Sequence, residues 1–288
     1  KIPISIPRLE VQKKISEKLY LLDQAISINK KIAEVIENKL NALFRSWFID
    51  FDPVKAKVEG KLPYGMDEET ASLFPDSFEE SELGSIPTGW KVVNYENVCE
   101  RIFSGGTPNT KESDYWGGDV PWLSSGETRE SIINSTERTI TQEGVKNSST
   151  RIARKGTTVI ASAGQGNTRG QTSILGIDTY INQSIIAIES DSQQISDLFI
   201  FQSLKPRYTE MRYLSDANSV RGSMTTRMVK EMKLVLPPVE IVKTFDEICQ
   251  PIFNLGSAIK NQDKSMSELR DILLPRLMYG ELKVPMEA

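Results

Sequence analysis

The chain has 288 residues, 39% hydrophobic and 26% charged, with a formal net charge of −4 and no histidine. Those proportions suit globular folding over about two domains, and the missing histidine removes the commonest general base and metal ligand. No apolar run nears the ~20 residues of a membrane helix, and no basic, apolar and small-residue start marks a signal peptide.

The first element is a long helix, assigned to residues 1–52. Lys1-Ile2-Pro3-Ile4-Ser5-Ile6-Pro7 reads as the end of a strand, and with a first residue other than Met the chain is expected to be a piece of something longer or one whose start was removed. Ile15, Leu19, Leu22, Ile26, Asn29, Ala33, Ile36, Leu40, Leu43 and Trp47 then alternate in steps of four and three. That is the repeat of a coiled-coil seam, with Asn29 as the one polar member that sets register. No Gly or Pro interrupts between Leu9 and Phe51, while Pro7 and Pro53 flank the run. Such a rod cannot bury its seam against itself.

Residues 53–83 form an acidic linker with Pro53, Pro63 and Pro75, and residues 50–83 carry three basic against ten acidic groups. Its aromatic and apolar residues, with Phe48, Phe51, Leu73, Phe74 and Phe78 in and beside it, are expected to pin it to neighbouring surfaces.

Residues 84–235 form the middle domain. Strand-like runs fall at residues 90–93, 157–161, 179–188 and 232–236, and helical patterns at 95–101, 196–204 and 225–230. The remainder is rich in Gly, Ser, Thr and Asn, so the reading is an α+β chain whose middle domain is mixed α/β with large loops. Its first and last strands must lie close together, because the two long helices lead in and out.

Residues 236–288 form the second long helix and repeat the first at an offset of 230. Ile6-Pro7-Arg8-Leu9-Glu10-Val11 corresponds to Leu236-Pro237-Pro238-Val239-Glu240-Ile241. This copy is weaker: Pro251 removes a backbone donor and predicts a kink, and Gly256 loosens it.

Five loops gather small polar residues, four of them beside glycine. Candidate contacts to double-stranded DNA are Gly105, Gly106 and Thr107 in the first loop, then Ser124, Ser125, Thr128 and Arg129 in the second. Gln165, Asn167, Arg169 and Gln171 follow in the third, Gln183 in the fourth, and Asn218, Arg221 and Ser223 in the last, with Arg154 in addition. Gln and Asn can pair bidentately with adenine and Arg with guanine; Gly admits close backbone approach, and Ser or Thr can bind phosphate oxygens. Any one of these loops can equally be an ordinary turn. Residues 144–177 contain no acid and carry Lys146, Arg151, Arg154, Lys155 and Arg169, while residues 205–230 carry six basic groups against Glu210 and Asp216. Such stretches suit a phosphate-binding face or a solvated one. Cys99 and Cys249 lack metal-site spacing and read as small buried hydrophobes. There is no Walker loop, histidine-based zinc site or nucleophile elbow, so no catalytic residue, metal or cofactor is assigned, and the chain is not read as an enzyme.

Several motifs carry a family resemblance. They are Trp47-Phe48-Ile49-Asp50-Phe51-Asp52-Pro53, Phe74-Pro75-Asp76-Ser77-Phe78, Leu83-Gly84-Ser85-Ile86-Pro87-Thr88-Gly89-Trp90 and Gly105-Gly106-Thr107-Pro108. Tyr115-Trp116-Gly117-Gly118, Val120-Pro121-Trp122, Leu236-Pro237-Pro238-Val239-Glu240 and Leu274-Pro275-Arg276-Leu277 complete the set. With these the chain resembles the specificity subunit of type I restriction–modification systems, in its C-terminal half: central conserved helix, second target recognition domain, distal conserved helix. The resemblance implies two long antiparallel coiled-coil helices around a recognition domain. It also implies cytoplasmic partners: methyltransferase subunits that methylate adenine, a restriction and translocase subunit, and, with one recognition domain absent, a second copy of the chain. Other readings stay open: a coiled-coil scaffold or protein-binding adaptor, or the recognition tail of a fused restriction–methyltransferase.

Overall fold

The computed structural model describes residues 6–164, 166–218 and 222–282, without the Asn218 side chain. The strand expected at the start falls mostly outside them. The elements run in order α1 (Leu9–Phe48), α2 (Asp52–Val58), α3 (Glu68–Ser72), β1 (Phe78–Ser81), β2 (Gly84–Pro87), β3 (Lys91–Asn94), β4 (Cys99–Ser104), β5 (Trp116–Leu123), β6 (Ile132–Ile133) and β7 (Arg138–Ile140). Then come α4 (Gln142–Lys146), β8 (Arg151–Ala153), β9 (Thr158–Ala161), β10 (Thr172–Leu175), β11 (Thr179–Ile181), β12 (Ile185–Ser190), α5 (Asp197–Leu204), α6 (Tyr208–Asn218), α7 (Thr226–Glu231), β13 (Lys233–Leu236) and α8 (Val239–Met278). The chain divides into two compact units, with the divisions between Lys39 and Leu40 and between Gln250 and Pro251.

The helical unit holds most of α1 and α8, each 40 residues long, or ~60 Å at 1.5 Å per residue. The pairing is antiparallel. Ile15 packs with Leu277 and Leu273, Arg270 pairs with Asp23 at 3.0 Å, Asn29 donates to Gln262 at 3.3 Å, and Gly256 faces Ile36. Ile15, Ile26, Leu40 and Trp47 are buried; Leu19, Leu22, Asn29, Ala33, Ile36 and Leu43 are half-buried. Two residues stand out in the second helix. Pro251 lies within one continuous α8, its missing donor leaving one ladder bond unmade without ending the helix. Gly256 is a close-approach site: a Cβ there would stand 3.0 Å from the Ile36 Cγ2.

In the other unit, β3 pairs antiparallel with β13 and closes the middle domain where α1 leads in and α8 leads out. Two sheets fill that domain, one ordered β4-β12-β9-β10-β6 and one ordered β7-β5-β11-β8. Their facing residues make one core: Phe103, Ile133, Val159, Leu175, Ile185 and Ala187 from the first, Leu123, Ala153 and Ile181 from the second. Two expectations are corrected here. Residues 95–101 form a short 3-10 turn at Tyr95–Asn97 and then enter β4, because Phe103 is needed in the core. The single run at 179–188 is two strands in different sheets, separated by Asn182-Gln183-Ser184. The supposed loops also hide β5, β7, β8 and β10, whose Gly, Ser, Thr and Arg content masks their strand pattern, and the two-residue β6.

An aromatic network ties the inner ends of the long helices to this domain. Phe44 and Phe48 of α1 lie 5.0 and 4.7 Å from Phe199 of α5, and Phe48 lies 5.2 Å from Phe245 of α8. Trp47 meets Phe74 edge-on at 5.1 Å, and Trp90 meets Phe48 and Phe51 at 6.0 and 5.7 Å. Phe51 also touches Phe78, so Phe48, Phe51, Phe74 and Phe78 are pinned as expected, whereas Leu73 stays exposed. Each such pair contributes about 0.5–1.5 kcal/mol beyond its buried area. Phe51 takes a left-handed backbone (φ 54°), uncommon for a bulky residue and held here by its ring contacts. Both cysteines are free, and burial pushes both thiols up to about 12, which keeps them unreactive.

Ser196 caps α5 and donates to Asp246 of α8 at 2.8 Å. Burial, with a smaller push from the nearby Asp197 charge, raises Asp246 to about 6. A folded-state pKa raised above the unfolded value favours the fold at low pH, and that benefit is lost as pH rises through 6. Asp246→Asn keeps the acceptor and removes the charge, so it is expected to raise the melting temperature at pH 7.5 and leave it nearly unchanged at pH 4. An equal shift at both pH values would sink this account.

Candidate nucleic-acid interface

The sheets end in loops that converge on Asn182-Gln183-Ser184. Gly105 N donates to Asn182 O at 3.2 Å and Gly106 N to Ile181 O at 3.0 Å, which brings in the loop after β4. Asn182 N donates to Leu123 O at 3.1 Å, at the end of β5. Ser162 N, just after β9, donates to Ser184 O, and Met224 N donates to Ser162 O, each at 2.8 Å. The Asn182 side chain is buried and accepts from Ser184 N at 3.0 Å. Buried backbone amides need such partners, so this segment, itself one of the five loops, draws together the loops after β4, β5 and β9, and through Ser162 the residues leading into α7, at one edge of the domain.

The sequence-predicted residues divide by what they do there. Gly105 and Gly106 are close-packing sites inside the protein: a Cβ would overlap the Ile181 carbonyl at the first and the Ser149 side chain at the second. Each thus lets the chain pack closely against its neighbour in the loop cluster. Thr107 donates to Gln183 Oε1 at 2.5 Å, and Gln183 is exposed. Ser124 is spent in a capping box with Glu127, Ser125 O accepts from Thr128, and Thr128 is buried with its hydroxyl 3.4 Å from Gln171 Oε1. Arg129 is exposed and pairs with Glu137 at 2.6 Å. Asn167 is exposed, and Ser223 is half-buried. Arg169 is buried, and its two terminal nitrogens bond the Gly222 carbonyl and Asp216, while its Nε finds no partner among the described residues. Arg154 precedes β9 and lies at the opposite end of that strand from Ser162, in the turn that meets Leu175 O and Asp178. The structure does not bring it to the other candidates. Gln165, Arg221 and the Asn218 side chain lie outside the described residues.

Much of the basic stretch at 205–230 is likewise spent internally. Arg207 grips Glu210, Tyr95 and the Lys233 carbonyl, Arg227 pairs with Glu231, and Arg212 donates to the Gly166 carbonyl. In its place the fold supplies Arg138, which sequence reading missed. Its guanidinium carbon sits 3.6 Å from the Trp116 ring centre and 5.5 Å from that of Trp122. Trp122 is its cross-strand partner and donates to the Gly106 carbonyl at 3.3 Å, so Arg138 stands beside the loop cluster. Arg138 is exposed, and among the described residues it pairs with no carboxylate. Arg151 is also exposed, in register with Ile181. The two tryptophans belong to motifs quoted above, but the register that sets Arg138 on them does not show in the sequence.

Residues 87–265 match the family model described as type I restriction modification DNA specificity domain. The chain belongs to this family. It is a DNA-specificity chain, a recognition module rather than a catalytic one. It is 28% identical over 323 residues to the type I restriction enzyme HindI specificity subunit of Haemophilus influenzae, covering 98% of this chain and 69% of that protein. To the MjaIX specificity subunit of Methanocaldococcus jannaschii it is 24% identical, covering 98% of this chain and 61% of the other. Its fold is similar to the crystal structure of the type I restriction–modification S subunit from M. genitalium, with a TM-score of 0.61, 15% identity, and coverage of 97% and 62%. The chain thus spans about 60–70% of the length of these relatives.

The loop hub yields a stability test. Gly105→Ala forces the backbone away from Ile181 and should cost about 1–3 kcal/mol, as overpacking does. Urea unfolding with an unchanged midpoint would show that the hub tolerates a Cβ there.

Proposed function

We propose that residues 84–235 read a specific double-stranded DNA sequence through the loop edge centred on Asn182-Gln183-Ser184. The observation that carries this reading is the convergence of three glycine-bearing loops on one short segment, with the residues before α7 tied in through Ser162 and with Arg138 and Arg151 beside them. Exposed Gln183 and Asn167 are the side chains suited to base edges. Arg138 suits a phosphate, because its ring contacts hold the guanidinium in place without neutralising it. Gln165, Gln171, Arg221 and Ser223 remain candidates on residue chemistry.

The test uses the full chain and a pool of random duplexes. Selection is expected to converge on one sequence, with affinity falling steeply in salt. Arg138→Ala is expected to lower the slope of log affinity against log salt by about 0.9 and leave the selected sequence unchanged. Failure of the wild-type chain to select any sequence would favour a scaffold or adaptor instead.

The partners proposed are methyltransferase subunits, docked along the helices and directed by this chain to adenines, with a restriction and translocase subunit in the same cytoplasmic complex. No helix among the described residues is long and apolar enough to cross a membrane. A protein partner on the helices is supported by a second apolar stripe on α1: Leu21, Ile28 and Val35 at seven-residue spacing, with Ile32, all exposed. Contiguous exposed apolar surface of this kind marks interaction sites. A second copy of the chain joined through the helices would mirror its two-fold symmetry in an interrupted palindrome. The triple variant Leu21→Glu, Ile28→Glu and Val35→Glu is expected to keep its helicity and lose co-purification with the cognate methyltransferase subunit. Undiminished co-purification would place the docking surface elsewhere.

A further inference from the structure

Helix α6 carries three polar side chains at four-residue spacing: Tyr208, Arg212 and Asp216. That spacing puts them along one face of a helix. Each reaches the loop between β9 and β10. The Tyr208 hydroxyl donates to Asn167 O at 3.0 Å, Arg212 Nη1 donates to Gly166 O at 2.6 Å, and Asp216 accepts from Arg169. Arg212 also lies 3.3 Å from the Tyr208 hydroxyl, which links the first two rungs. The buried Arg169 donates onward to Gly222 O, so the segment leading into α7 is tied to the same face. Packing supports the bonds: Gly170 has φ 86°, and a Cβ there would stand 3.4 Å from both Tyr208 and Arg212.

Loops of this kind hold a shape only when their backbone groups find partners, and side chains that contact bases must be held to within a fraction of an ångström. The carbonyls of Gly166 and Asn167 find those partners on α6. Their donors are side chains far from the loop in sequence, and neither Tyr208 nor Asp216 brings positive charge to a phosphate.

We infer that the Tyr208–Arg212–Asp216 face of α6, acting on the Gly166 and Asn167 carbonyls and through Arg169, sets the conformation of residues 166–171 and thereby the base preference of the chain. These are positioning residues; this inference rests on the DNA-reading function proposed above and adds that part of the specificity is written on a helix outside the loops. Such residues govern discrimination between sequences and leave the sequence-independent, salt-sensitive part of binding alone.

The experiment compares the full wild-type chain with Tyr208→Phe, Asp216→Ala and the double variant. Arg212 is left intact because losing its charge would by itself weaken binding to phosphate. Each protein is titrated with the duplex that the wild type selects from the random pool and with a scrambled duplex, at two salt concentrations. The double variant is expected to lose roughly fivefold or more of its preference for the selected duplex, comparable to one mismatched base pair. Affinity for the scrambled duplex and its salt slope should stay at wild-type values. Asp216→Glu, which keeps the carboxylate, should restore most of the preference relative to Asp216→Ala. An undiminished preference in the double variant overturns the inference, and so does an equal loss on both duplexes, which would mean that these groups serve folding or contact phosphate. Tyr208→Phe keeps the packed ring, and circular dichroism checks that it folds. If the wild type itself shows no preference, the DNA-reading proposal falls, and that outcome is distinct from failure of the helix-face inference.

Discussion

The aromatic network around Phe48 is the contact on which the rest of this architecture depends. Phe44, Trp47 and Phe48 come from the end of α1, Phe245 from the start of α8, Phe199 from α5, and Phe74 and Trp90 from the segments between. The rings pack edge-on or tilted, the arrangement their quadrupoles favour. Because they come from so many separate stretches of chain, the inner ends of both long helices belong to the same compact unit as the sheets. The acidic segment after α1 is drawn into it as well, through Phe51, Phe74 and Phe78. A charged linker would otherwise be a free tether, and here hydrophobic burial outweighs its solubility.

The second constraint is backbone hydrogen bonding at the loop edge. Strands from two sheets end together, and the groups they leave unpaired are satisfied through Asn182-Gln183-Ser184. This economy explains why so many candidate reading residues are buried or engaged. Gly105, Gly106, Ser124, Thr128 and Arg169 build the edge, while Gln183, Asn167, Arg138 and Arg151 stand exposed on it. In a loop-rich recognition site, residues that look like contacts in sequence are often the ones that hold the contacts still.

How much of this was legible depended on whether the pattern was local. The seam from Ile15 to Trp47 could be read because helical periodicity is a property of neighbours in sequence, and so could α5 and α7 with their Ser196 and Thr225 caps. The strands β5, β7, β8 and β10 were missed because short strands rich in Gly, Thr and Arg carry almost no alternation. Residues 95–101 misled because Tyr95, Val98 and Ile102 fall at helical spacing, while the core required Phe103 on a strand.

By itself the sequence determined the two long helices, their duplication, the position of the middle domain and the family whose motifs it carries. Each of these is written in spacing or composition along a single stretch. The tertiary structure decided which charges are free. Arg169 and Arg207 turned inward to carboxylates and carbonyls, and Arg138 was set on Trp116 and Trp122 by a strand register. It also decided that α6 bonds the Gly166 and Asn167 carbonyls, pairing residues some forty positions apart. Partners at that separation are chosen by the packing of the whole domain, and no local pattern records them.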